Sequence, residues 1–375
     1  MTAPGVLFVC VANSARSQIA EGLARRRFGD RLRIASAGSR PTEVDPRAIA
    51  TMNTVGVDLT TYRAKRVEEI DPAGIELVVA LCTEEVCPAF GPRARRLHWP
   101  MPDPTIEIAG EPHYMPQHRF RVARLQIEAR LDIIEPALAM PPRTVVAAGR
   151  PEDRAEVEAL LTTSQLPLEG LEQTELVIAR IDGELVGTAG LERWEGFGLV
   201  RSVAVAEGHR GSGIAATLVT DRLCAARFDA LHAAYLLTTG AQRYFERFGF
   251  AAIDRSTLPH ALSPSTQLDL PACSTAIAMR LQLADTSGTD ALLDREIVKE
   301  LADHGTLVPP WKKHPEIPRY SIGWRMGPGE WYMWMWARWW EGMHEDARSA
   351  YRAHWRPELP EAWTGWFDAD DGDEE

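Results

Sequence analysis

Short apolar runs alternate with helical patterns over the first 140 residues. Four apolar runs predict buried strands, and three stretches with apolar residues at helical spacing predict helices. The predicted strands are residues 6–10, 32–36, 76–82 and 96–99, and the predicted helices are residues 17–28, 46–55 and 120–138. Strands that alternate with helices favour a parallel sheet covered on both faces. We therefore predict that residues 1–140 form an α/β domain with a doubly wound, four-stranded parallel sheet.

A different pattern follows Pro141 and Pro142, which we interpret as a short stiff linker. Asp182-Gly183 lies between two apolar alternations, which is typical of a two-residue hairpin turn. The predicted strands are residues 144–148, 175–180, 185–192 and 198–205. One predicted helix covers residues 152–163, and a second runs through Arg227. Strands that follow one another through hairpins predict an α+β domain over residues 143–283.

The last part of the chain is distinguished by tryptophan. Of the twelve tryptophans, all but Trp99 and Trp194 lie between residues 311 and 366. Such rings bury about 150–250 Å² each, so we predict a small C-terminal module, residues 291–367, with a tryptophan core and a helical stretch over residues 331–351. An exposed aromatic surface for a peptide, a sugar or a membrane interface is the alternative. Residues 368–375 are acidic and predict a solvated tail.

Composition narrows the classes of function. The chain has 375 residues, of which 45% are hydrophobic and 25% are charged, as in soluble proteins of several domains. A net charge of −12 argues against nucleic acid as a partner. No apolar run approaches the ~20 residues that cross a bilayer, and no secretory signal is visible. Five cysteines in so long a chain do not form a disulfide framework, so we expect a cytoplasmic protein.

The junction between the first strand and the first helix carries candidate chemistry. A loop runs from Cys10 to Arg16, and its backbone amides converge near the positive end of the following helix. Arg16 adds a planar guanidinium suited to a tetrahedral oxyanion, and Asn13, Ser14 and Ser17 can brace the loop by hydrogen bonds. A cysteine in that field is a nucleophilic thiolate. The pattern predicts a reactive sulfur beneath a site for phosphate or a phosphate mimic.

Two further candidates follow later strands of the same predicted sheet. Cys82 ends the third strand, and Asp103 lies after the fourth, between Pro102 and Pro104. Ligands of parallel sheets sit at the carboxyl ends of strands, so these side chains can meet Cys10 in one crevice. A carboxylic acid held opposite a thiolate can protonate a leaving oxygen.

Taken together, these segments resemble the low-molecular-weight tyrosine phosphatase superfamily and, within it, the phosphatase-type arsenate reductases. The matching stretches are residues 10–22, 36–38, 81–88, 98–104 and 120–124. The resemblance implies that Cys10 is the nucleophile, that Arg16 with Asn13 and Ser17 forms the oxyanion loop, and that Asp103 is the general acid.

Cys82 and Cys87 bear on the choice between a reductase and a phosphatase. In a reductase a second thiolate attacks the sulfur–arsenate adduct and releases arsenite, and a third thiol carries the disulfide to an external reductant. Thioredoxin, glutathione or mycothiol are the candidate reductants. We favour arsenate reduction with Cys82 and Cys87 as resolving thiols. A tyrosine or small-molecule phosphatase that needs Cys10, Arg16 and Asp103 alone is one alternative, and a non-catalytic oxyanion or redox sensor is another.

A glycine-containing turn marks the second domain. It follows the apolar residues Val203 and Val205 and precedes a long helix, so it places bare amides at a helix N-terminus. The turn residues concerned are Arg210, Gly211, Gly213 and Ala215. With the helix and glycine ending at residues 241–250, this region resembles the Gcn5-related N-acetyltransferase (GNAT) family. The resemblance implies that these residues bind acetyl-CoA.

The acetyl acceptor is not encoded in any motif, and we expect a small molecule. Tyr244 is a candidate general acid, although the family position for that tyrosine corresponds here to Phe245. Glu192 is a candidate base, for which an exposed strand carboxylate is the simpler interpretation. No histidines and cysteines are spaced as in a zinc site, so no metal is expected. The combined prediction is a bifunctional arsenic-detoxification protein that reduces arsenate and transfers an acetyl group.

Overall fold

The computed structural model describes residues 3–82, 91, 93–107, 115–229, 231–283, 293, 296–297, 300–301, 306–341, 343 and 345–367. The chain forms two compact units. One contains residues 1–104 and 123–285, and the other contains residues 105–122 and 286–375.

The first unit is built on a single sheet of eleven strands in the order β10-β11-β9-β8-β7-β6-β5-β4-β3-β1-β2. The strands are β1 (Gly5–Cys10), β2 (Arg33–Gly38), β3 (Ile75–Ala80), β4 (Arg95–His98), β5 (Thr144–Ala148), β6 (Glu175–Ile181), β7 (Glu184–Trp194), β8 (Phe197–Val205), β9 (Ala233–Thr238), β10 (Ala251–Ile253) and β11 (Ile277–Gln282). The helices of residues 16–246 are α1 (Arg16–Phe28), α2 (Pro46–Asn53), α3 (Met115–Arg130), α4 (Ile134–Leu138), α5 (Arg154–Thr163), α6 (Ile214–Phe228) and α7 (Gln242–Glu246).

Strands β1 to β4 are parallel, in the spatial order β2-β1-β3-β4. Strand β1 lies between two neighbours, and all six of its residues are buried, which explains its continuous apolar sequence. Helix α2 begins where the sequence offers a cap, because the Asp45 carboxylate accepts from the Arg47 amide at 2.8 Å and Pro46 occupies the first turn. These four strands bring the ends of β1 and β3 together.

The sheet does not end at β4. Strand β5 pairs with β4 in parallel, through Arg96 with Val145 and Leu97 with Val146. Pro141 and Pro142, expected to separate two domains as a linker, here connect α4 to this added strand. The physical reason is that β4 would otherwise leave a row of backbone groups unpaired at a sheet edge.

Strands β5 to β8 are antiparallel neighbours, as expected for an α+β region. The predicted hairpin turn lies between β6 and β7, and both of its residues have positive φ, 52° at Asp182 and 89° at Gly183. Strands β8 and β9 are parallel but pair only from Phe197 to Leu199. Beyond Leu199 the two strands separate, which leaves the second half of β8 unpaired on that side.

The second unit has a core of aromatic residues. Its helices include α8 (Pro310–Lys313), α9 (Gly327–Glu341) and α10 (Glu345–Trp355), so the predicted helix over residues 331–351 is two helices on either side of Gly342, which lies outside the described residues. Trp336 stacks on Trp340 at 4.9 Å between ring centroids. The buried tryptophans of this core are Trp311, Trp336, Trp339, Trp340, Trp355 and Trp363. Trp334, 47% exposed, lies outside it.

Candidate active sites

The loop after β1 places Cys10 at the start of a polar pocket. Cys10 is the last residue of β1 and is buried, and α1 begins at Arg16. The carbonyls of Val11, Ala12 and Ser14 accept hydrogen bonds from the amides of residues 40, 42 and 45. Within the described residues, the amides of residues 12–15 donate no hydrogen bond. The loop therefore has its carbonyls engaged and its amides available to an anion.

A chain of buried hydrogen bonds fixes this loop and reaches the sulfur. The Asn13 side chain donates to the Ser17 hydroxyl at 2.7 Å and to the Ser36 hydroxyl at 2.9 Å. Ser17 Oγ lies 2.9 Å from Cys10 Sγ. Asn13 has a positive φ of 45°, a conformation that asparagine tolerates better than most residues. Because Asn13 already donates to Ser17, the Ser17 hydroxyl hydrogen is available to the sulfur.

Arg16 and Asp103 are brought together, although 87 positions separate them in the sequence. The guanidinium of Arg16 is buried and donates through Nη2 to Asp103 Oδ2 at 2.7 Å and through Nη1 to the Met101 carbonyl at 3.2 Å. The Asp103 side chain is 35% exposed, so it lies at the mouth of the pocket. Ser14 is buried in the same loop.

Cys82 follows β3 next to the nucleophile loop. Val9 pairs with Ala80, and the Leu81 amide donates to the Val9 carbonyl at 3.0 Å, so residues 10 and 82 follow adjacent strand ends. Cys82 is buried, and its carbonyl is 3.0 Å from His98 Nε2. Cys87, the second predicted resolving thiol, lies outside the described residues.

A second site opens where β8 and β9 separate. A cavity of about 1110 Å³ lies there and in front of the N-terminus of α6. Its walls include all six residues predicted to bind the cofactor, Val203, Val205, Arg210, Gly211, Gly213 and Ala215. Gly211 and Gly213 have φ of 73° and 85°, and α6 begins directly after them. The turn thus presents backbone amides and a helix N-terminus to the cavity, which suits a phosphate group.

Helix α4 and the residue after it contribute to this second cavity. Pro136 in α4 and Ala139 just after it are among the lining residues. A Cβ atom added to Gly213 would lie 3.1 Å from the Ala139 carbonyl carbon. Glycine is therefore required at position 213 both by its left-handed conformation and by its contact with Ala139.

Tyr244 also lines the cavity. Its hydroxyl oxygen is buried and has no hydrogen-bond partner in the described part of the chain. The ring packs edge-on against Phe245 and Phe248 at centroid distances of 5.3 and 5.5 Å. Burial raises the pKa of Tyr244 to about 12, so the hydroxyl is a neutral hydrogen-bond donor at physiological pH.

Glu192 is not an exposed strand carboxylate, so that expectation was wrong. Glu192 and Arg201 are 1% and 0% exposed and form an ion pair at 2.6 Å. Trp194 Nε1 donates to the other carboxylate oxygen at 3.0 Å. Residues 192 and 201 lie close together because β7 and β8 are antiparallel neighbours, a register that the sequence does not reveal. Arg201 lines the cavity, whereas Glu192 stands behind it.

Sequence reasoning assigned no role to the residues that support the first loop from behind. Glu21 is buried, accepts from the Ser36 hydroxyl at 2.6 Å and pairs with Lys65 at 3.2 Å. Gln18 donates to the Asn13 carbonyl at 3.0 Å. The available signal was that Glu21 is the one acidic residue of α1. Among the described residues, no cluster of three metal-ligating side chains and no helix suited to cross a membrane is found.

Two known protein families match the regions of the chain that contain the two sites. The family of low molecular weight phosphotyrosine protein phosphatases matches residues 5–133, and the acetyltransferase (GNAT) domain family matches residues 172–252.

Individual relatives divide between the two regions. An arsenate reductase of Bacillus cereus is 37% identical over 101 residues, which are 26% of this chain and 75% of that protein. An arsenate reductase of Staphylococcus epidermidis is 34% identical over 109 residues, or 28% of this chain and 80% of that protein. The solved structure of Rv2747 from Mycobacterium tuberculosis in complex with CoA and NLQ is 26% identical, covers 37% of this chain and 99% of its own, and has a TM-score of 0.34.

Proposed function

We propose that this chain catalyses two reactions. Through residues 5–133 the chain belongs to the arsenate reductases of the low molecular weight phosphotyrosine protein phosphatase family. It also carries an acetyltransferase (GNAT) domain at residues 172–252. The first reaction is the reduction of arsenate to arsenite by the Cys10 thiolate. The second is the transfer of an acetyl group from acetyl-CoA to a small-molecule acceptor.

The observation that carries the first proposal is the arrangement around Cys10. A buried sulfur lies 2.9 Å from a hydroxyl that can donate to it, beneath a loop with available amides. Arg16 and Asp103 stand together at 2.7 Å at the mouth. The loop and Arg16 would hold a tetrahedral oxyanion, and the acid beside it would meet an oxygen that leaves.

The proposed reduction balances in two steps. The Cys10 thiolate attacks arsenic while arsenate takes the place of the Asp103 carboxylate at Arg16. Asp103, in its protonated form, then gives its proton to the arsenate oxygen that leaves as water, so that an S–As bond replaces an As–O bond. The thiolate of Cys82 then attacks Cys10 Sγ. The S–As bond breaks, its electron pair remains on arsenic, and arsenite leaves while a Cys10–Cys82 disulfide forms. Two thiols have lost two electrons, and arsenic has gained them.

Regeneration requires an external dithiol or a pair of thiols. In our proposal Cys87 attacks Cys82, frees Cys10 and leaves a Cys82–Cys87 disulfide for the reductant. Thioredoxin, glutathione and mycothiol are the candidate chemical classes. The burial of Cys82 supports a relay, because a buried disulfide is poorly reached by a protein reductant unless a further thiol carries it outward.

For the second reaction, the cavity between β8 and β9 has the features that acetyl-CoA requires. Its volume of about 1110 Å³ and its glycine turn at the start of α6 fit a long ligand that carries phosphates. Residues 210–215 would hold the phosphates, and the edge of β8 at Val203 and Val205, where β9 no longer pairs with it, would hold the amide-containing arm. When bound, acetyl-CoA supplies an activated acetyl group.

The chain's own contribution to acetyl transfer is a proton donor. Tyr244 holds a proton at its hydroxyl oxygen, because burial raises its pKa to about 12. That hydroxyl has no partner in the described part of the chain and Tyr244 lines the cavity, so we propose it as the donor to the leaving sulfur. Glu192 is a poor base, because its carboxylate is already engaged by Arg201 and Trp194.

Steady-state arsenate reduction tests the first reaction. Turnover should be measured with thioredoxin, thioredoxin reductase and NADPH, then with glutathione and with mycothiol. We expect Cys10→Ser to abolish reduction with every donor, and Cys82→Ser and Cys87→Ser to abolish it with thioredoxin. Cys224→Ser is the matched control, because Cys224 is buried in α6 outside the site and its loss should leave turnover unchanged.

Two results would contradict this proposal. If only Cys10→Ser matters with thioredoxin, the three-thiol relay is wrong. If the wild type reduces no arsenate with any donor yet hydrolyses an aryl phosphate, the site belongs to a phosphatase that uses Cys10, Arg16 and Asp103 alone.

Acetyl transfer is tested separately, by following release of free CoA from acetyl-CoA over a panel of small primary amines, with Tyr244→Phe as the variant.

A further inference from the structure

A further cavity, distinct from both sites, lies where the last turn of α3 meets the last turns of α6. It has a volume of about 900 Å³. Gln126 and Arg130 of α3 form one wall, and residues of β5, α5, β6, β7, α6 and their connecting segments form the rest. We name it the junction cavity, because α3 belongs to the region matched by the phosphatase family while its other walls lie beyond that region.

The described walls of the junction cavity are rich in arginine. They contain five arginines, Arg130, Arg150, Arg154, Arg193 and Arg222, against three carboxylates, Glu172, Glu175 and Asp229. Three more carboxylates, Glu152, Glu158 and Asp221, pair with these arginines from outside the lining, so five arginines face six carboxylates. The cavity therefore has no excess of positive charge, and the question is which arginine lacks a partner.

Four of these arginines are satisfied by carboxylates of the protein. Arg154 pairs with Glu158 at 2.6 Å, and Arg193 pairs with Asp229 at 2.5 Å. Arg150 and Arg222 pair with the neighbouring Glu152 and Asp221. These pairs account for the geometry of their side chains without a ligand.

Arg130 is the exception. Its Nη1 atom is buried and has no hydrogen-bond partner, and its guanidinium forms no ion pair with the described residues. Burial lowers the pKa of Arg130 even though the carboxylates of Asp221 and Asp229 act in the opposite direction. Arg130 as a whole is only partly buried, but a buried N–H without a partner is costly, because its lost hydration is not replaced.

We propose that the junction cavity binds a small phosphate-type oxyanion, free or as the end of a phosphate ester, with Arg130 as its main ligand. The planar fork of a guanidinium matches two oxygens of a tetrahedral anion. Because the walls of the cavity come from α3 on one side and from β5, α5, β6, β7 and α6 on the other, the bound anion holds these elements together.

Phosphate binding to the full chain tests the proposal by calorimetry. Saturating CoA first occupies the glycine turn before α6. Inorganic phosphate should then bind the wild type at two sites, the Cys10 loop and the junction cavity. Arg16→Met should remove one site, Arg130→Gln should weaken the other by about tenfold or more, and the double variant should show neither. Arg27→Gln, which removes an exposed arginine that pairs with Asp132, is the charge-matched control and should keep both sites.

A second probe distinguishes the two sources of the anion. If phenyl phosphate binds the Arg16→Met protein more tightly than inorganic phosphate does, and if Arg130→Gln weakens that binding, the result supports a phosphate ester as the ligand. Equal or weaker binding supports free phosphate. Binding of both probes that is unchanged by Arg130→Gln overturns the proposal.

Thermal unfolding separates a binding role of Arg130 from a structural one. Without phosphate, Arg130→Gln should unfold at the same temperature as the wild type or higher, because a buried N–H group without a partner has been removed. Phosphate should raise the midpoint of the Arg16→Met protein and leave that of the double variant unchanged. A variant that unfolds several degrees lower without phosphate would show that Arg130 is part of the structure, and the proposal would be wrong.

Discussion

The guanidinium of Arg16 and the carboxylate of Asp103 form an ion pair at 2.7 Å across the mouth of the Cys10 pocket. The two residues come from the start of α1 and from the segment after β4, so only the parallel sheet brings them together. In this arrangement the proposed anion-binding residue also orients the proposed acid. Their pairing therefore connects the proposed binding of arsenate with the proposed protonation of its leaving oxygen.

Replacing the acid should separate binding from chemistry. In Asp103→Asn the side chain keeps its shape but has no proton of a carboxylic acid to give, so we expect arsenate turnover to fall by about 10²-fold or more. Arsenate binding should change little, since Arg16 keeps its bond to the Met101 carbonyl. Steady-state turnover and equilibrium binding of phosphate measure the two effects. Asp132→Asn, an exposed ion-pair carboxylate, is the control.

The hydroxyl beside the sulfur provides a second prediction. Ser17 accepts from Asn13 at 2.7 Å and lies 2.9 Å from Cys10 Sγ, so it can donate its hydrogen to a thiolate. Ser17→Ala removes a charge-assisted hydrogen bond, and we expect alkylation of Cys10 at neutral pH to slow by about tenfold. Mass spectrometry of iodoacetamide labelling measures the rate. An unchanged rate, with Ser256→Ala as the control, would contradict this role of Ser17.

Much of the first site could be predicted because its parts are local. The apolar run of β1, the loop from Cys10 and the helix from Arg16 follow one another in the sequence. Asp103 was predictable because strands of parallel sheets end at one edge. The pairing of β4 with β5 could not be predicted, since strand order across a sheet depends on tertiary packing. The burial of Glu192 was missed for the same reason, because its partner Arg201 lies on the next strand.

That buried pair has a measurable consequence for stability. Glu192→Gln leaves Arg201 charged and without its counter-ion in a fully buried position, so we expect a loss of about 3–5 kcal/mol in the free energy of unfolding. Glu192→Met combined with Arg201→Met should recover much of the loss. Denaturant unfolding of the wild type, Glu192→Met, Arg201→Met and the double variant measures the coupling. If Glu192 were instead the catalytic base, Glu192→Gln would keep its stability and lose acetyl transfer.

The thiol of Cys224 predicts how stability depends on pH. Burial raises its pKa from 9.0 to about 12 in the folded chain, so the unfolded chain releases this proton first as the pH rises. Cys224 therefore contributes a loss of stability between pH 9 and pH 12, and by pH 10 the loss is about 1.4 kcal/mol. Cys224→Ala should remove this part of the pH dependence, whatever its stability at neutral pH. Unfolding free energies at pH 7, 9 and 10 provide the comparison, and equal slopes for both proteins would count against it.

The glycine turn before α6 allows a graded test of the acetyl-CoA site. Gly208 has no positive φ and open space around its Cα, so Gly208→Ala should leave CoA affinity unchanged. Gly211 has a φ of 73° and open space, so Gly211→Ala introduces only backbone strain of about 1 kcal/mol. Gly213 combines a φ of 85° with a Cβ position 3.1 Å from the Ala139 carbonyl carbon.

We therefore expect Gly213→Ala to reduce CoA affinity most, because the turn must move away from the residue that follows α4. Equilibrium binding of CoA to the three variants gives the order of their affinities. Ala139 directly follows α4, so an effect of Gly213→Ala no larger than that of Gly211→Ala would mean that this contact does not position the turn. The predicted order of affinities instead makes the residue after α4 a support for the proposed cofactor site.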